Sequence, residues 1–405
     1  MQIETLRKPA KRSWLRLFRP SFRLALLCLV PVYVAAELPA EPVGADQSVK
    51  LATPYPASYV MAHDFSFGAI IDSAFALVDI ETGAFKGMLS AGQFATLSYS
   101  LKRQKFYVGE TVHSRGNRGT REDLVAIYDF ANLALQKDIV LQPRRSNSVN
   151  LKNSTAVTAD DRFLLVFNMS PATSVTVIDL DTESIVNEFD TPGCSLVYPD
   201  LHGDFFMLCG NGSLLAVDLD DKGQAAVTTV SPAFNVIDQD PLSEKASIVG
   251  DSWYFASFAG EVQPIKVSGD KPEIMPRWWL TSAAERKSNW RPAGWHGTAG
   301  SGRSDGLLWI AMTPQGYPGS HKDPATEVWL FDTAKQTRLA RIRLQTPAIS
   351  ISVTGAADPR LVVANVESAL DVYDARTGKR LNTIHDLGES PYQVYSVGLD
   401  AGQAN

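Results

Sequence analysis

Cysteine is scarce, with three residues in 405, and only Cys194 and Cys209 lie beyond the first 36 positions. Neither belongs to a CxxC pair, which argues against a thiolate metal centre or a dithiol redox motif. The six histidines, His63, His113, His202, His296, His321 and His385, show no HxxxH or HExxH spacing. The usual zinc-hydrolase pattern is therefore missing, and no metal site is assigned. There is no GxSxG elbow, and Gly300-Ser301-Gly302 lacks the strand-to-helix context of a dinucleotide fingerprint. The acidic doublets Asp160-Asp161 and Asp220-Asp221 fall at expected turns, where carboxylates cap backbone and need no catalytic role. No catalytic residue is assigned to this chain. An excess of positive charge is also missing: Lys and Arg number 38 against 44 Asp and Glu, a net charge of −6, which disfavours nucleic acid as a partner.

Long apolar runs are absent except for LALLCLVPVYVAA, which follows Arg7, Lys8, Lys11, Arg12, Arg16, Arg19 and Arg23 and ends in small residues. This is the layout of a secretory signal peptide over 1–36, with cleavage after Ala36. A signal-anchor is the alternative, but 13 apolar residues broken by Pro31 span a bilayer poorly. The segment carries a net charge of +6, so its removal takes the chain from −6 to −12. The mature protein is expected to be soluble and periplasmic, with no membrane contact. Cys194 is placed at the end of one outer strand and Cys209 inside the next apolar strand, and in such an oxidising compartment a disulfide between them is the default, worth about 3 kcal/mol by chain entropy. A metal or redox pair is the sharper alternative.

What the sequence has in abundance is one repeated phrase. Ser170 to Phe189, SPATSVTVIDLDTESIVNEF, reads as an alternating strand, an acidic turn and a second strand. The phrase recurs at 75–89, 125–141, 214–230, 262–275, 328–344 and 370–384. The residue closing its first strand is Asp79, Asp129, Asp179, Asp218, Lys266, Asp332 and Asp374 in turn, at spacings of 50, 50, 39, 48, 66 and 42. Apolar strands precede the hairpins at 105–110, 162–169, 205–210, 253–258, 307–312 and 361–366. A unit of this length and content is a four-stranded propeller blade. The fold expected is all-β, a seven-bladed β-propeller over 58–405, preceded by an extended arm over 37–57. SPYQVYSVGLD near the C-terminus supplies the strand that the first blade, beginning SYVMAHDF at 58–65, lacks. Ring closure by 391–399 follows, because it removes exposed edges.

Two stretches break the repeat: the basic loop HSRGNRGTRED at 113–123 and the insertion PRWWLTSAAERKSNWRPAGWHG at 276–297, with a helical turn at SAAERKSNW. Insertions on one face of a propeller commonly form its binding surface. The insertion holds Trp278, Trp279, Trp290 and Trp295, four of the eight tryptophans. Trp290 and Trp295, with Arg115, Arg118 and Arg121 of the basic loop, are candidates for a subunit interface; solvated loops are the plain alternative.

NMSPATSVTVIDL at 168–180, the Cys194–Cys209 segment with MLCGNGSLLAVDL, KSNWRPAGW at 287–295 and GSHKDPATEVWLFDTAKQTRLARI at 319–342 resemble the large subunit of the quinoprotein amine dehydrogenases. These are the periplasmic methylamine and aromatic amine dehydrogenases, and the stretch around His321, Lys322, Ala325 and Glu327 looks closer to the aromatic amine type. The resemblance runs from about Ser58 to the C-terminus and includes the cysteine pair. It implies a cofactor-free large subunit assembled with a small, disulfide-rich subunit that carries tryptophan tryptophylquinone, two of each in a heterotetramer. The complex would oxidise a primary amine to aldehyde and ammonia and pass electrons to a copper protein (cupredoxin) or cytochrome c.

By the same resemblance, AHDFSFGAIID at 62–72 matches the loop that lines the family's substrate channel. Phe67 aligns best with the channel phenylalanine, flanked by Phe65 and Gly68, where a glycine would leave room for a larger substrate. The alternative for both phenylalanines is ordinary strand-end packing. The alternative for the whole chain is a stand-alone periplasmic propeller that binds a ligand without a quinone subunit. A propeller hydrolase or lactonase would need acidic or histidine ligands clustered at the axis, a signal the sequence lacks.

Overall fold

The computed structural model describes residues 50–146, 148–301 and 305–398. The expected signal peptide and the beginning of the arm, to residue 49, lie outside them. The unit Ser48–Asn405 is an all-β propeller. Among the described residues its strands form six antiparallel sheets: four of four strands, one of five and one of eight. In the eight-stranded sheet a single 17-residue strand, Thr337–Val353, pairs first with Ala325–Asp332 and then with Arg360–Asn365.

Each sheet follows the repeated phrase. The apolar strand expected before each hairpin is the second from the axis, as in Phe163–Asn168, buried along its whole length between neighbouring sheets. Two covered faces favour an unbroken apolar run over an alternating one. The last strand of the phrase is the outer edge, and Leu135–Leu141 accordingly exposes most of its residues. The repeated aspartate caps the turn between them: Asp179 Oδ1 accepts the N–H groups of Asp181 at 2.9 Å and Thr182 at 2.7 Å. Asp79, Asp129, Asp332 and Asp374 make equivalent bonds. Asp218 departs from the pattern, since Asp220 caps that turn by accepting from Lys222 and Gln224 at 2.8 Å.

These turns also tie neighbouring sheets together. Arg103 donates to Leu180 O at 2.9 Å and Asp181 Oδ1 at 2.7 Å, Arg162 to Asp221 Oδ1 at 2.9 Å, and Arg360 to Glu81 Oε1 at 2.7 Å. The last contact joins the final sheet to the first. Pro391–Ser396 pairs antiparallel with Tyr59–Asp64, Val60 opposite Ser396.

Three local expectations need adjustment. The expected arm is packed at its end: Tyr55 is fully buried, stacks on Phe130 at 4.7 Å and donates to its carbonyl at 2.5 Å. Cys194 opens the innermost strand Cys194–Pro199 rather than ending the preceding outer strand, and there it is bonded to Cys209, its direct cross-strand neighbour. The insertion is built into the sheets: Trp278–Trp279 pairs with Glu261 and Val262, and Arg291–Pro292 with Met312 and Thr313. Between them lies the short helix Ala283–Lys287, where the helical turn was expected, closed by a Ser282–Glu285 capping box.

Candidate functional site

The loop after Tyr59–Asp64 turns sharply, with Ala69 and Ile70 both donating to Ser66 O. It separates the two phenylalanines. Phe65 is 7% exposed and belongs to the core, edge-on to His63 at 4.2 Å, whereas Phe67 is 48% exposed and projects from the surface. Phe65 thus takes the packing role, and Phe67 is the residue on display.

Phe67 does not stand alone. Tyr392, at the start of the C-terminal strand, meets Phe67 at 4.8 Å, Phe65 at 5.1 Å and Trp295 at 5.6 Å between ring centroids. The Lys245 ammonium lies 4.0 Å above the Trp295 ring, and burial lowers its pKa. Beyond it His321 stacks on Phe258 at 3.7 Å, its imidazole also pushed down by burial. The result is an arc of aromatic and basic groups drawn from distant parts of the chain.

Asp64 fixes this arc from beneath. Its carboxylate accepts N–H groups from Ser66 at 2.9 Å, Glu389 at 2.8 Å and Ser390 at 2.9 Å, and the Ser390 hydroxyl at 3.1 Å. The Phe67 loop and the segment leading to Tyr392 are thereby held as one piece. Gly68 lies at the same junction, but the space a Cβ would take there is held by Glu389 Oε1, 2.4 Å from it. The group nearest to Gly68 on that side is thus the exposed end of the Glu389 side chain.

The interface candidates separate. Arg115 and Arg118 are exposed on the turn between Lys105–His113 and Arg121–Asp129, which approaches the Phe67 loop where Gly116 faces Ile71. Arg121 is instead half-buried and bound to the buried Asp123 through two 2.8 Å bonds and to Arg145 O. Trp290 lies against Trp329 at 5.1 Å, with Arg341 4.5 Å above it. That pair is occupied in packing, since Trp329 is fully buried and also carries Arg338 at 4.2 Å. Trp295 alone of the two tryptophans joins the arc.

At the other end of the axis the innermost strands surround a cavity of about 560 Å³, lined by Lys152, Trp253 and the ends of strands such as Tyr395–Ser396. Between the two ends His63 and His296 are buried and held neutral, far below the usual imidazole range. No cluster of three or more His, Cys, Asp or Glu suited to a metal occurs among the described residues. Tyr392, Lys245 and Asp64 were not singled out by sequence reasoning. Asp64 and Tyr392 make contacts across more than 320 residues and Lys245 across 50, and only the aromatic spacing of PYQVY hints at one of them.

The sequence matches the family described as methylamine dehydrogenase heavy chain (MADH) over residues 57–398. The heavy chain of Methylobacillus flagellatus is 27% identical over 310 residues, 75% of this chain and 76% of that one. The heavy chain of Paracoccus versutus is 28% identical over 362 residues, covering 88% and 84%. Among solved structures the β-propeller domain of Cps50 (Swd1) from Myceliophteria thermophila gives a TM-score of 0.54 at 8% identity, covering 79% of this chain and 94% of that one. Dihydro-heme d1 dehydrogenase NirN gives 0.53 at 14% identity, covering 87% and 77%. At such identities these two speak for the fold alone. The family match spans nearly all of the described propeller and includes the Phe67 loop, Trp295 and Tyr392, so the chain belongs to the methylamine dehydrogenase heavy chain family.

Proposed function

We propose that this chain is the large, cofactor-free subunit of a periplasmic amine dehydrogenase whose small subunit carries tryptophan tryptophylquinone. The observation that carries the reading is the aromatic arc of the exposed Phe67 and the half-buried Tyr392 and Trp295 on a chain of this family. The quinone, bound in the small subunit, supplies the oxidising chemistry that converts a primary amine to aldehyde and ammonia. This chain's part is to shape the approach. The faces of Phe67 and Tyr392 offer an apolar wall to an amine tail and an electron-rich surface to an ammonium group. A substrate with an aromatic tail fits this wall better than methylamine does.

The same reading covers assembly and architecture. On this reading the eight-stranded sheet counts as two blades joined through Thr337–Val353, for seven in all, and the pairing of Pro391–Ser396 with Tyr59–Asp64 supports closure of the ring. Two large and two small subunits form the working unit after removal of residues 1–36, and a cupredoxin or cytochrome c takes the electrons. Exposed apolar residues in the loops at the Phe67 end, including Ile70, Ile71, Met169, Val236 and Tyr317, supply a surface for the small subunit.

Purification of the chain from its native host tests this reading. The expected result is a co-purifying small subunit, a two-plus-two mass and a visible quinone absorbance bleached by added amine. A colourless single chain would favour the stand-alone propeller.

A further inference from the structure

The cavity at the far end of the axis takes no part in amine oxidation as proposed above. Its volume, about 560 Å³, lies within the range of pockets that hold small organic molecules. Much of its wall is apolar, with Leu97, Trp253 and Ile351 among the lining side chains. One cationic side chain faces this wall. Lys152 Nζ donates to Val394 O at 2.5 Å and sits 4.5 Å over the Tyr395 ring, contacts that leave two of its three N–H groups without a described partner.

The surroundings of Lys152 supply no counter-charge. It forms no ion pair among the described residues. Asp200 lines the same cavity but forms no ion pair with Lys152; its Oδ1 accepts the N–H groups of His202 at 2.8 Å, Gly203 at 3.0 Å and Asp204 at 2.9 Å. The two buried imidazoles nearest in charge terms, His63 and His296, are neutral and bring no anion. Burial of an unpaired ammonium brings the Lys152 pKa down to about 7. A cavity that is apolar on its walls and cationic at one point is complementary to a molecule of opposite pattern. One lysine without an arginine or a nest of N–H groups suits a monovalent carboxylate better than a phosphate, which recruits several donors.

We propose that the axial cavity is a binding site for a small organic carboxylate with an apolar body, its carboxylate paired with Lys152 Nζ. The acid restores the missing counter-charge, and Leu97, Trp253 and Ile351 cover its hydrocarbon part. Because the anion stabilises the charged lysine, binding above pH 7 takes up a proton and weakens as the pH rises. The site does not depend on the amine dehydrogenase reading.

Phenylacetate is the probe, titrated calorimetrically into the full protein as purified from its host, with 2-phenylethanol as the neutral analogue. The expected result is one phenylacetate per chain, bound at least tenfold more tightly than the alcohol. Proton uptake should appear at pH 8 when buffers of different ionisation heat are compared. Lys152→Met should lose at least tenfold in affinity with the thermal transition retained, and Phe67→Ala should bind as the unmodified protein does. Equal affinity for acid and alcohol, no saturable binding at millimolar concentration, or loss of binding in Phe67→Ala but not Lys152→Met would each overturn the proposal. Should Lys152→Met fail to fold, the acid-to-alcohol ratio and the proton uptake of the unmodified protein decide alone.

Discussion

The two ends of the propeller solve the problem of turning the chain in different ways. At the cavity end the turns are short, and each supplies its own carboxylate: Asp79, Asp129, Asp179 and Asp374 cap N–H groups two or three residues on. Arginines such as Arg103 and Arg360 then join one turn to the next sheet. At the Phe67 end the connections are longer and are held from below by buried acids in the strands. Asp64 grips two loops at once, Glu110 accepts from Gly92 N, and Asp123 holds Arg121 and Arg145 N. Local capping leaves a turn self-sufficient and featureless. Support from beneath frees the top of a loop to display Phe67 and its neighbours, at the cost of a few buried charges that must stay satisfied.

Removing one of those supports should therefore cost far more than removing a stitch at the opposite end. Asp64→Ala strands three N–H groups and is expected to destabilise the protein by about 3 kcal/mol, read from urea unfolding. It should also raise KM for amine, because the Phe67 loop loses its anchor. A destabilisation as small as that of a surface variant would break the comparison.

Glu110 sharpens it with pH. Burial, partly offset by the Gly92 N–H and Arg145, raises its pKa from 4.5 to about 7. In the unfolded chain it ionises near 4.5, so the folded protein alone must hold the proton between these values. The resulting penalty is absent below pH 4.5, grows up to about pH 7 and is complete above it. Glu110→Gln should accordingly stabilise by on the order of 2 kcal/mol at pH 8 and by nothing at pH 4. Thermal melts at the two pH values measure this, and equal shifts at both would contradict it.

At the cavity end, Arg360→Ala removes a partly exposed pair with Glu81 and should cost less than about 1 kcal/mol. The smallest stability effect is expected at the exposed Arg115 and Arg118, within about 0.5 kcal/mol for the double change to Glu. That variant should still weaken assembly with the small subunit, measured by co-purification. Unaltered assembly would make these arginines solvated residues only.

The capped end was far more legible in the sequence than the displayed end. Local capping leaves a local signature, so the repeated aspartate and the apolar strand before it were visible as a phrase. Even there Asp218 misled, because Asp220 took over the cap two residues later. The helical turn at SAAERKSNW was legible for the same reason, and the Ser282–Glu285 box that caps it likewise lies within four consecutive residues. The arc is different. Phe67 meets Tyr392, and Tyr392 meets Trp295, across long stretches of chain, and no periodicity records such contacts. Phe67 was reached through family resemblance, and its separation from Phe65 by burial needed the structure. The packing of Trp290 was hidden because Trp329, against which it lies, is 39 residues further on, whereas the Arg121–Asp123 pair sits within one strand.

The most direct test of the central claim, that the aromatic arc shapes the approach of the amine, is the specificity of Phe67→Ala in the assembled enzyme. The ratio of kcat/KM for 2-phenylethylamine over methylamine should shift at least tenfold, with the thermal transition unchanged. A ratio equal to that of the unmodified protein would contradict the account and leave Phe67 an ornament of the loop.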